Sequence, residues 1–166
     1  DELDDYSSVN SDLEASCIES PPTVVECGAV ITESGYYVVS SGCTDYSGVA
    51  FQIEASDVFL SCASGVEIDG DGSSGSKGFH LDPDFVGLTN IFVADCSLSD
   101  FNEGVVFEGT SQSGVYGFEI SDSGSNGIEV SNIENQVYGN KISDSGSNGI
   151  KIVESSEDLI ISFNEL

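Results

Sequence analysis

The sequence has no arginine, and its three lysines stand against 30 acidic residues, for a net charge of −27. Holding a phosphate backbone takes several cations, so nucleic acid is a poor partner and anionic lipid is disfavoured with it. Histidine occurs once, as His80, and no two of the five cysteines form a CxxC pair, which leaves no basis for a zinc site. No apolar run approaches the ~18 residues of a membrane span. There is no N-x-[ST] sequon, so that route to glycosylation is closed. No stripe of helical period runs for a useful length.

What remains is a chain of 166 residues with 39% hydrophobic content, enough for one domain with a real core and too apolar for simple disorder. So acidic a surface repels itself at low salt and is best tolerated where salt or divalent cations screen it. A saline or calcium-rich setting is expected. The chain opens on Asp1 rather than methionine, which fits a processed protein that is secreted, extracellular or at a cell surface. In an oxidising compartment Cys17, Cys27, Cys43, Cys62 and Cys96 predict two disulfides and one odd thiol, with Cys17–Cys27 the easiest pair by sequence distance.

The stretch VYGFEISDSGSNGI, from Val115 to Ile128, recurs as VYGNKISDSGSNGI from Val137 to Ile150, with twelve of fourteen positions identical. Within it apolar residues alternate: Ile128 and Val130 in one copy, Ile150 and Ile152 in the next. The same register appears upstream at Val105 and Phe107, Phe79 and Leu81, and Phe51 and Ile53, and the interval between successive copies shrinks along the chain from 28 through 26 and 23 to 22. A second ladder is Ile68, Leu98, Ile120, Ile142 and Leu166. A third is less regular: Leu60, Val93, Val115 or Gly117, Val137 or Gly139, and Ile161. Short alternating runs are half-buried strands. Several per period, with Gly, Ser, Asn and Asp corners, suit one coil of a parallel β-helix, each coil about 4.8 Å above the last. A leucine-rich repeat lacks its L-x-x-L-x-L pattern here, and a β-sandwich predicts no fixed period. The fold class is all-β, a parallel β-helix of about five to six coils over residues 35–166, behind an N-terminal arm and cap over residues 1–34.

The register places each lysine opposite a glutamate on the neighbouring coil: Lys141 with Glu119, Lys151 with Glu129, and Lys77 with Glu103. Such cross-strand pairs contribute about 0.2–1 kcal/mol each. Asn126 and Asn148 fall on equivalent turn positions, as do Asn140 and Asn164, where stacked amides satisfy turn backbone. His80 points outward in the column Gln52, His80, Val106, Glu129, Lys151.

Asp100, Asp122 and Asp144 form a column of like charges, which reads either as a cation site, calcium above all, or as corner residues bonding turn amides. Asp69 and Asp71 sit in IDGDGSSG, a loose calcium loop or a plain glycine-rich connection. Asp71 with Asp95 or Asp100 is the candidate carboxylate pair for glycoside hydrolysis. A polysaccharide lyase needs a basic residue to take the proton, and with no arginine and three paired lysines the chain offers none. Tyr116 and Tyr138 form a tyrosine column on adjacent coils.

The coils NQVYGNKISDSGSNGIKI and SDVFLSCASGVEIDGDG resemble the right-handed parallel β-helix repeats of the pectin-lyase-like superfamily. They are closest to the carbohydrate-binding and sugar-hydrolase type, as in the NosD-like periplasmic proteins. The resemblance covers residues 35–166. It implies a right-handed solenoid, a first coil capped by a helix or by extra strands such as PPTVVECGAVI would supply, and a module that binds or cleaves carbohydrate. The residues themselves suggest a different role. EDLIISFNEL stops on the opening strands of a further coil, and leaves Leu159, Ile161 and Leu166 along an open edge that invites a second chain. On that ground the expectation is a secreted structural subunit that assembles end to end into a filament or surface layer, promoted by cations. A polysaccharide-binding module is the alternative, and no catalytic residue stands out.

Overall fold

The computed structural model describes residues 21–81, 84, 87–131, 134–153 and 158–166. Each alternating run is a strand of two to six residues, and no helix occurs among the described residues. The chain visits three sheets in turn. A seven-stranded sheet holds β1 (Thr23–Val25), β3 (Gly35–Val39), β6 (Val58–Cys62), β9 (Ile91–Ala94), β12 (Gly114–Tyr116), β15 (Gln136–Tyr138) and β18 (Ile160–Ser162). A six-stranded sheet holds β2 (Ala29–Ile31), β5 (Val49–Ile53), β8 (Lys77–Leu81), β11 (Glu103–Phe107), β14 (Asn126–Ser131) and β17 (Asn148–Val153). A five-stranded sheet holds β4 (Cys43–Tyr46), β7 (Glu67–Gly70), β10 (Ser97–Ser99), β13 (Glu119–Ser121) and β16 (Lys141–Ile142). Every pairing is parallel, and the result is a β-solenoid of about five turns. The strands of PPTVVECGAVI, β1 and β2, stack on β3 and β5.

The shrinking intervals of the sequence are the successive pairings Phe51–Phe79, Phe79–Val105, Val105–Ile128 and Ile128–Ile150. Ile68, Leu98, Ile120 and Ile142 stack in a second column. In the third, the valines rather than the glycines face inward: Leu60, Val93, Val115, Val137 and Ile161 are in register. The three columns converge on one axial core, with Phe51, Phe79, Val105, Ile128, Leu60 and Val93 fully buried. Burying such a side chain contributes about 1.5–3 kcal/mol. Phe51 stacks on Phe79 at 5.0 Å, and Phe118 meets Phe79 edge-on at 5.3 Å.

The triangle turns at corners with one left-handed residue per coil. Asp100, Asp122 and Asp144, with φ of 54°, 55° and 54°, make one corner. Asp57, Asn90, Gln112, Glu134 and Asp158 make a second, and Asp95, Gly117, Gly139 and Phe163 a third. Aspartate, asparagine and glycine tolerate this conformation best, which accounts for the corner residues other than Gln112, Glu134 and Phe163. A second glycine requirement is proximity. Gly104 and Gly127 occupy equivalent places on adjacent coils, and a Cβ on Gly127 would lie 2.7 Å from the Gly149 carbonyl oxygen and 2.5 Å from Ile142 Cγ2.

Asparagine amides tie the corners together. Asn140 Oδ1 accepts from Phe118 N–H at 2.9 Å, and its Nδ2 donates to the Val115 carbonyl at 3.2 Å and to Asn164 Oδ1 at 3.0 Å. Asn148 Nδ2 donates to Asn126 Oδ1 at 3.0 Å.

Two disulfides are present, and they correct the pairing by sequence distance. Cys27 bonds Cys43, and Cys62 bonds Cys96. Cys62 ends β6 and Cys96 follows β9, the strand stacked on β6, so coil stacking brings their Cα atoms to 5.0 Å across 34 residues of chain. Cys17, with the rest of residues 1–20, lies outside the described residues.

Candidate functional site: a carboxylate-lined groove at one corner

The connection from the seven-stranded to the five-stranded sheet is two residues long after β9, β12 and β15, and four after β6, from Ala63 to Val66. The longer turn stands proud of its neighbours and walls a groove of about 550 Å³. The buried Cys62–Cys96 disulfide lies beneath it. Glu67 on β7 and Glu119 on β13 point outward on either side of Ser97 on β10. Two strand spacings put their backbones about 10 Å apart. Asp95 is the third carboxylate. Its Oδ1 occupies the space over Gly117, where a Cβ would fall 2.6 Å away.

Aromatic rings run beside the groove on the outer face of the seven-stranded sheet and its corner, one from each of six coils: Tyr36, Phe59, Phe92, Tyr116, Tyr138 and Phe163. Tyr36 and Phe59 stack at 4.8 Å, Phe92 and Tyr116 lie 6.1 Å apart, and Tyr138 and Phe163 lie 5.2 Å apart. Tyr116 leans over Gly114 and donates its hydroxyl to Gln136 Oε1 at 2.9 Å, and burial of the ring raises its pKa. The corner column leaves the groove at Gly117 and continues through Gly139 to Phe163, which is 81% exposed.

The acids expected to act together are placed otherwise. Asp100, Asp122 and Asp144 sit on exposed left-handed corners, and among the described residues no three His, Cys, Asp or Glu side chains gather to hold a metal ion. Each of the three is an exposed turn residue. Asp71 caps its own loop, accepting from Ser73 N–H at 2.9 Å, and its bonds from Ser73 hold the carboxyl below the usual value. Asp69 accepts from the Ser99 hydroxyl at 2.7 Å. Asp71 follows β7 while Asp95 precedes β10, so these two stand at opposite ends of the five-stranded sheet, whereas Asp100 follows β10 at the same end as Asp71, where its carbonyl accepts from Gly72 N–H at 2.7 Å.

Lys77 meets Glu103 at 2.9 Å and Lys151 meets Glu129 at 3.0 Å. Lys141 is in register with both Glu119 and Glu165, and among the described residues closes an ion pair with neither. His80 stands in register between Gln52 and Val106, with Nε2 2.6 Å from Glu108 Oε2. Glu67 is a site residue that the sequence does not single out. Its one signal is the two extra residues between Cys62 and Glu67 relative to Ala94 and Ser97.

The family model described as "Periplasmic copper-binding protein (NosD)" matches residues 17–165. No curated protein and no solved structure matches the chain. The periplasmic description agrees with the two disulfides, which persist in oxidising compartments outside the cytoplasm. The copper description does not fit the donors present: four cysteines are oxidised in pairs, methionine is absent and the one imidazole is engaged by Glu108. What the match does span is the solenoid from its first strands to its last, and on that extent the chain belongs to the NosD family of parallel β-helix proteins.

Proposed function

We propose that the chain is a carbohydrate-binding β-helix module exported from the cytoplasm, with the corner groove as its sugar site. The observation that carries this is the conjunction of a concave, carboxylate-lined groove with a sheet face that bears a ring on five successive strands, β3, β6, β9, β12 and β15. Sugars offer hydroxyl donors to carboxylates and C–H faces to aromatic rings, and groove volumes of this order are usual for small ligands. The coil spacing of about 4.8 Å is comparable to the length of one pyranose, so a glycan laid along the axis meets similar chemistry at each coil.

Binding rather than cleavage is the better fit. A general acid needs a carboxyl kept protonated by burial or by a close like charge, and Glu67 and Glu119 are both exposed. The carboxylates also select against uronic-acid polymers, so the expected ligands are neutral or amino sugars. Calorimetric titration with a panel of neutral and amino-sugar oligosaccharides tests this. Measurable binding that falls about tenfold in Glu119→Gln and in Tyr116→Ala is expected; no heat from any member of the panel overturns it.

End-to-end assembly is a second reading, favoured by one observation. On the last coil Ile152, Ile161 and Leu166 are 51%, 39% and 75% exposed, while Val130, Val137 and Ile142 beneath them are almost wholly buried. A second copy stacked on this coil would cover them, as would a further coil of the same chain. Light scattering across salt and calcium distinguishes growing, cation-dependent polymers from a 17.3 kDa monomer at every condition, which would end that reading.

A further inference from the structure

We infer that this chain keeps the solenoid of the NosD family without a copper site. Copper(I) is held by soft thiolate and thioether sulfur, and copper(II) by imidazole nitrogen in a tetragonal field of nitrogen and oxygen. The whole sequence supplies no methionine, one histidine and five cysteines. Cys27, Cys43, Cys62 and Cys96 are bonded to one another in pairs. That leaves His80 and Cys17.

His80 projects from the middle of β8 on the outer face of the six-stranded sheet. Its neighbours in register are Gln52 and Val106, an amide and an aliphatic side chain. The same strand offers Lys77, whose ammonium is bound to Glu103. A copper ion at His80 meets one imidazole, displaces or shares Glu108, and finds no second nitrogen donor and no sulfur. A solenoid has little means of repairing this. Its outward residues are fixed by register at a spacing of about 4.8 Å, so a metal site must be written into a column, and this column reads Gln52, His80, Val106, Glu129, Lys151. Cys17 adds at most one thiol from outside the described residues.

The reason a family match survives this loss is geometric. Stacking depends on the inward ladders, the close glycines and the corner residues, and it leaves the outward positions free to vary.

The test uses the full, oxidised chain. It is loaded with copper(II) chloride, and separately with copper(I) generated by ascorbate, then desalted in high salt, and metal is counted by elemental mass spectrometry. Copper at the level of a buffer blank is expected, unchanged in His80→Ala and in Cys17→Ser. Retention at low salt only, displaced by excess magnesium, is neutralisation of surface carboxylates and agrees with the inference. About one equivalent of copper that survives the high-salt step overturns it, and its loss in either variant would locate the site.

Discussion

Phe163 holds a backbone conformation that its coil-equivalents give to Asp95, Gly117 and Gly139. A bulky side chain at φ of 57° costs about 1–3 kcal/mol relative to a residue suited to that region. Burial does not recover it, because the ring is 81% exposed and its ring contact is a tilted one with Tyr138. Phe163 stands two coils beyond Gly117, where the groove ends, so this strained, exposed ring bears on a ligand only if the ligand runs along the axis past the groove. Phe163→Gly is therefore expected to raise the melting temperature by a few degrees while weakening oligosaccharide binding; a variant that binds sugar as well as the parent removes Phe163 from the site. Gly127 shows the opposite relation. A methyl group there runs into the Gly149 carbonyl oxygen and Ile142 Cγ2, and Gly127→Ala is expected to cost about 1–3 kcal/mol in chemical denaturation.

At the scale of strands and turns, the even period of the last coils makes their register readable, because identical side chains repeat only where one stacks on the other. That period separates inward from outward positions and sets each lysine beside its glutamate. The disulfides are not readable in the same way. Cys62 and Cys96 lie 34 residues apart in sequence and on touching coils in space, and only coil geometry says so. The groove is obscured for another reason: it arises from a difference between turns, not from any motif. Of the two carboxylates offered as partners for Asp71, Asp95 falls at the opposite end of the sheet and Asp100 at the same end, since spacing along the chain does not report which end of a strand a turn occupies. The Cys62–Cys96 link closes a loop of 34 residues, worth about 3–4 kcal/mol on the chain-entropy model. Replacing both cysteines with serine is expected to lower the denaturation midpoint accordingly. Because the link also underlies the groove, sugar affinity should fall in the same variant even at temperatures where it stays folded; unchanged affinity would detach the groove from its floor.

Over the whole molecule, charge governs how stability responds to solvent. A net charge of −27 sits on a surface whose only lysine–carboxylate ion pairs among the described residues are Lys77–Glu103 and Lys151–Glu129. Most acids face one another or solvent, and folding draws them closer than the unfolded chain does. Stability should therefore rise with ionic strength, and magnesium should act at lower concentration than sodium because divalent ions screen more effectively. A melting temperature that is flat or falling between dilute buffer and about 1 M salt would show that the coils already keep these charges far enough apart. Ion pairs at a surface contribute about 0–1 kcal/mol and weaken in salt, so these two part-buried pairs oppose the trend too feebly to reverse it.

The four-residue turn at Ala63–Val66 is one instance of a general freedom. The coil shortens between the Phe51–Phe79 step and the Ile128–Ile150 step while the inward ladders stay in register, so the surplus residues of these coils are lodged at corners, and a strand takes up an extra one at β4, whose register against β7 shifts between Cys43 and Tyr46. The axis behaves as a ruler of constant pitch, and the corners as sockets of adjustable depth. Lengthening a second turn on the same corner would extend the groove by one coil without shifting a single core contact, which makes its length a quantity that insertions can set independently of the fold.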